Sequence, residues 1–153
     1  METFSRETPL LDPWYVTGFS EGEATFTYSR SGKQLALYYA IKLTARDRSI
    51  LEAISAFFGG AGSIYQVRPR AALTPRRGFT KTASYFRVSR RDELGRVVAH
   101  FDQYPLRGTK LASYEIWRKM VALKQSFRSP PRDQLDTLAR ALSSVSPRNG
   151  DRE

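Results

Sequence analysis

Two acids, Glu21 and Glu23, close the segment Trp14-Tyr15-Val16-Thr17-Gly18-Phe19-Ser20-Glu21-Gly22-Glu23 and stand directly before an alternating stretch without carboxylates. If Leu10–Glu23 is helical, both fall at its C-terminus, where the dipole disfavours an anion by about 0.3–1 kcal/mol each. A cation joining the pair would explain that placement; so would an exposed helix end closed by a glycine stop. Gly18 and Gly22 sit four apart on one face, where each costs about 1 kcal/mol relative to alanine. Small residues at that spacing let two helix backbones approach closely. The absence of cysteine, with His100 the one histidine, excludes thiolate zinc sites, cysteine nucleophiles and His-rich metal sites. His100 reads as a packed or surface residue rather than a ligand, and Trp14 and Trp117 as core rather than base-stacking residues.

The elements around these acids follow from capping and periodicity. Asp12 as N-cap and Pro13 at the first helical position start the helix. Phe26 and Tyr28 then alternate with Thr25, Thr27 and Ser29, and a Ser31-Gly32-Lys33 turn leads into Leu35, Leu37, Tyr39, Ile41 and Leu43 at period two. Asp47 is expected to cap an amphipathic helix with the stripe Ile50, Leu51, Ile54, Phe57-Phe58, ending at Gly59-Gly60. Ser63–Val67 and Ala83–Ser89 read as strands, with Phe86 and Val88 on one face and Tyr85 and Arg87 on the other. Pro69–Lys81 reads as a basic loop. A short helix around Asp92–Phe101, a longer one over Lys110–Gln125 and a last one opened by Pro130-Pro131 complete the order. The expected fold is α+β: αββαββα with a four-stranded antiparallel sheet and extra C-terminal helices. It forms one domain over residues 1–145, with a frayed tail at 146–153. At 153 residues the chain suits one domain or half of a symmetric assembly.

Charge says what such a sheet would meet. There are 25 Lys and Arg against 15 Asp and Glu, a formal charge of +10. No carboxylate occurs from Ala24 to Arg46 or from Ala53 to Arg91, and the second stretch holds Arg68, Arg70, Arg76, Arg77, Lys81 and Arg87. One-sign stretches of this length point to a polyanion, nucleic acid first. A cationic antiparallel sheet with one open face suits the major groove. The strand positions for direct contact are Thr27, Ser29, Gln34, Tyr38, Lys42, Arg68, Arg70 and Arg87, with Arg76, Arg77 and Lys81 on the loop. No P-loop or zinc-finger spacing is present, and no small-molecule substrate is expected. There is no long apolar run, and METFSRETPLL lacks a signal peptide's order. An intracellular compartment, the cytoplasm first, is therefore expected, with no membrane partner.

Val16-Thr17-Gly18-Phe19-Ser20-Glu21-Gly22-Glu23-Ala24 resembles the motif of the LAGLIDADG homing endonucleases. Phe58-Gly59-Gly60-Ala61-Gly62-Ser63-Ile64-Tyr65 resembles that family's entry into its third strand. His100-Phe101-Asp102-Gln103-Tyr104-Pro105-Leu106, Lys110 and Tyr114-Glu115-Ile116-Trp117-Arg118-Lys119 resemble its C-terminal signature. The resemblance implies a homodimer in which Gly18 and Gly22 pack helix on helix. It further implies that Glu23 is the catalytic, metal-binding carboxylate, that Glu21 hydrogen-bonds structurally and that Lys110 is a basic residue near the active site. Magnesium or another divalent cation would be the cofactor. The substrate would be a long pseudo-palindromic DNA duplex hydrolysed on both strands, in the setting of a mobile intron, an intein or a free-standing gene. Ser20 stands where an aliphatic is usual, Ala24 replaces the last glycine, and Arg107-Gly108-Thr109 replaces a lysine-rich stretch. A non-cleaving DNA-binding regulator or intron RNA maturase of the same fold is the alternative, and a purely structural basic protein the more distant one.

Overall fold

The computed structural model describes residues 9–67 and 82–146. Arg68, Arg70, Arg76, Arg77 and Lys81, and the tail from 147 onward, lie outside the described residues. Helix α1 spans Pro13–Glu23, and Asp12 Oδ1 accepts the Trp14 N–H at 2.8 Å, as the Asp-Pro start predicts. The chain passes directly into β1 (Ala24–Ser31), turns at Gly32 and returns as β2 (Gln34–Thr44). After a 3₁₀ turn at Ala45–Asp47 come α2 (Arg48–Phe57), β3 (Ser63–Val67) and β4 (Ala83–Val88). Helices α3 (Arg91–Gln103), α4 (Lys110–Ser126) and α5 (Arg132–Val145) follow.

All pairings in the sheet are antiparallel and the spatial order is β1-β2-β4-β3. Period two sorts each strand into two faces. Phe26, Leu37, Tyr39, Ile41, Phe86 and Val88 are buried on one of them, under the helices, together with Trp117, Met120 and Phe101. Phe26 lies at the centre, its ring 5.1–5.4 Å from those of Tyr39, Phe101, Tyr114 and Trp117. Buried polar groups there are partnered: Trp117 Nε1 donates to Thr27 O at 3.1 Å, and the Tyr39 hydroxyl meets Ser20 Oγ at 2.7 Å. That second contact accounts for serine at the motif's usual aliphatic position. The exception is Ser84 Oγ, buried without a hydrogen bond among the described residues.

Gly59, Gly60 and Gly62 all have positive φ, so the segment after α2 is a helix stop and turn. Gly62 is also required by space, since a Cβ there would stand 2.6 Å from Phe86 Cε2 and 2.8 Å from Arg87 O. Three sequence expectations need correction. Asp47 sits at the N-cap of α2 but makes no cap bond, because its carboxylate instead accepts the Thr44 hydroxyl at 3.1 Å. Trp14 is 50% exposed rather than core, held edge-on against Tyr104 at 5.1 Å. Helix α3 has 13 residues, Arg91–Gln103, and so runs past both ends of the expected Asp92–Phe101. Among the described residues, no helix is long and apolar enough to cross a membrane.

Candidate functional site

The last turn of α1 meets the start of α4, and the two ends exchange charges. The Glu21 carboxylate accepts the backbone N–H of Arg107 and, at 2.7 Å, that of Gly108. Lys110, the first residue of α4, reaches the other way and donates from Nζ to Ser20 O at 3.2 Å. Each charge is misplaced in its own helix and well placed against the other helix's dipole. Gly108 permits the contact, for a Cβ there would stand 3.0 Å from Glu21 Oε2. Burial pushes the Lys110 ammonium below the ordinary lysine range, while the charges of Glu23 and Glu21 pull it back. Neither feature was visible locally, because the partners lie some 90 residues apart in sequence.

Glu23 is different. It is exposed and takes part in none of the ion pairs or hydrogen bonds among the described residues. No group of three or more His, Asp or Glu side chains suited to a metal occurs among them either. What one chain offers a cation here is the oxygen of a single solvent-facing carboxylate, beside a lysine. A hard divalent ion accepts such an oxygen but requires further oxygen ligands to complete its shell.

Gly18 and Gly22 lie on the exposed side of α1, and a Cβ on either would meet nothing within 4 Å. The same side carries Tyr15, 46% exposed, and the half-exposed Trp14. The opposite side, through Val16, Thr17 and Ser20, is buried. His100 anchors it: the ring lies 3.0 Å from Thr17 Oγ1, packed edge-on to Phe57 and Phe58, and burial lowers its pKa to about 4. It is a packed residue and not a ligand.

The open face of the sheet collects Thr27, Ser29, Gln34, Tyr38, Lys42 and Arg87, all exposed or half-exposed. Tyr38 pairs with Thr27, and Arg87 Cζ lies 3.6 Å from the Tyr38 ring centroid. Lys42 Nζ stands 5.5 Å from the Tyr85 ring, which stacks on Tyr65 at 5.3 Å and an interplanar angle of 5°. Tyr65 and Tyr85 were missed as candidate site residues, although Tyr85 was put on this face. The β3–β4 register fixes what the strand sequence left open, putting Ser63, Tyr65 and Val67 on the open side.

Comparison with known proteins gives this arrangement its relatives. A family profile described as LAGLIDADG endonuclease matches residues 16–121. The probable intron-encoded endonuclease 2 of Neurospora crassa is 27% identical over 121 residues, which cover 74% of this chain and 24% of that protein. The chain spans 21–26% of the length of the curated relatives it matches. The crystal structure of the homing endonuclease I-TnaI superposes with a TM-score of 0.72 at 23% identity, covering 93% of this chain and 92% of that one. I-SmaMI bound to an uncleaved DNA target in the presence of calcium ions gives 0.69 at 22% identity, covering 88% of this chain and 45% of that one. The motif segment, the sheet with one open face and the profile match agree: this chain belongs to the LAGLIDADG endonuclease family.

Proposed function

We propose that this chain is a homing endonuclease, a sequence-specific hydrolase that cuts both strands of a long pseudo-palindromic DNA site as a homodimer. The observation that carries the reading is the contrast between Glu21, engaged by two backbone N–H groups, and Glu23, two residues on, exposed and in no hydrogen bond or ion pair among the described residues. The exposed face of α1 supports pairing of two copies through Gly18 and Gly22, which would bring two Glu23 carboxylates together.

Two converging carboxylates repel, and a divalent cation with scissile phosphate oxygens relieves that repulsion. Magnesium fits this donor set, and when bound it supplies Lewis acidity for the attacking water and the leaving oxygen. Calcium accompanies uncleaved DNA in the I-SmaMI structure, which accords with an oxygen site for divalent ions in the family. Glu23 from each copy would hold the cation, and Lys110 would stand by as a positive charge near the phosphate. The open sheets would straddle the major groove, with Lys42, Arg87 and the Arg68–Lys81 cations on the duplex. An exposed Glu23 carboxylate outside every hydrogen bond and ion pair among the described residues favours cutting over the regulator or maturase alternative.

Incubating the full chain with randomised duplexes in magnesium and sequencing newly formed ends tests the reading. The expected result is paired breaks centred on a recurring near-palindrome. Retention of duplexes without any new ends would leave a binding protein in its place.

A further inference from the structure

We propose that Arg87, seated over the ring of Tyr38, is the residue by which each copy of this chain reads one guanine in its half-site. The inference rests on the DNA-binding reading above and names a base that the reading leaves open. Arg87 lies on β4, an inner strand of the sheet, where it pairs with Ala40 on β2 and with Ser63 on β3. Thr25 completes that row across β1. Arg87 is therefore the one long side chain in a row of small ones, and a base-pair edge has room to approach it.

The guanidinium is also fixed before any DNA arrives. Its carbon lies 3.6 Å from the centroid of the Tyr38 ring, in stacking contact. Its Nε is buried without a hydrogen bond, and its two Nη groups make none among the described residues. No acid pairs with it in any ion pair described, and residues 68–81 contain no carboxylate that could. A planar donor fork of this kind matches the paired O6 and N7 acceptors that guanine alone presents in the major groove. Stacking removes rotamer freedom beforehand, so less is lost when the base is met. Lys42, one row away, is exposed and presents a point charge with no fork, which suits a phosphate instead.

The test is selection of randomised duplexes by binding to the full chain in calcium, without cleavage, followed by sequencing. Wild type should show one guanine in each half-site preferred by roughly 5- to 150-fold over other bases, the range of one good bidentate contact. Arg87→Gln should move that single position to adenine, whose N6 and N7 an amide matches, and leave the other positions unchanged. Tyr38→Leu should keep guanine but weaken its preference several-fold. If Arg87→Gln lowers binding to all sequences by one factor and alters no position, Arg87 is a phosphate contact and the proposal falls while DNA binding stands. If wild type enriches no duplex at all, the DNA-binding reading falls and takes the proposal with it. Undiminished guanine preference in Tyr38→Leu would overturn the role given to the stack.

Discussion

The two sides of the sheet use the same kinds of residue in opposite ways. Under the helices, Tyr39 is fully buried with its hydroxyl on Ser20, and Trp117 is fully buried with its indole N–H on Thr27 O. On the open side, Tyr38, Tyr65 and Tyr85 stay accessible and stack with one another or under Lys42 and Arg87. Helix α1 repeats the division, with Thr17 tied to His100 on one side and Gly18 and Gly22 facing open space on the other. The covered side holds the fold together. On the open side, side chains are positioned while their charges and donors remain available, which is how a surface built for a partner differs from one kept for solubility.

The largest break in this comparison should come from Gly18→Leu. Nothing within the chain obstructs a side chain there, and a leucine is a better helix former than glycine by about 0.5–1 kcal/mol. The chain should therefore still fold and melt cooperatively, while light scattering shows monomer in place of dimer. A crossed pair of substitutions then separates the two sheet faces. Phe26→Ala should destabilise by about 3–5 kcal/mol in urea unfolding and leave the salt dependence of DNA binding unaltered. Lys42→Ala should stay within about 0.5 kcal/mol of wild type in stability and reduce the slope of log K against log salt by about 1.

A smaller effect belongs to His100. Its pKa falls from the ordinary 6.5 to about 4 in the folded chain. Below pH 6.5 the unfolded chain binds a proton that the native imidazole refuses, so stability declines as pH falls from about 6.5 and levels off below about 4. Urea unfolding at pH 7 and pH 4.5 should show the loss, and His100→Phe should remove that part of the pH dependence.

Much of this was legible in the sequence, for identifiable reasons. Asp12-Pro13 set the start of α1 because cap and ring act within one turn. Alternation assigned the faces of β1, β2 and β4 because each strand has one dry side. What escaped was tertiary. The pairing of Glu21 with the Arg107–Gly108 backbone, and of Lys110 with Ser20 O, joins segments that no local rule connects. Both residues looked like violations of the helix dipole until the two helix ends were seen together. A tryptophan reads as core by its type, yet helix α1 turns Trp14 outward. The face of Tyr65 needed the register with Tyr85, since β3 is largely exposed and has weak alternation of its own.

The central claim is that two glutamates two residues apart have different work, and one gel assay tests it most directly. A duplex that the wild type cuts in magnesium is offered to Glu23→Gln and Glu21→Gln, in magnesium and in calcium. Glu23→Gln keeps size and shape but removes the charge a cation requires, so it should bind the duplex and cut neither strand. Glu21→Gln weakens two charge-assisted hydrogen bonds, so it should lose up to roughly 1–3 kcal/mol of stability and still cut. Undiminished cutting by Glu23→Gln, or loss of cutting confined to Glu21→Gln, would contradict the account.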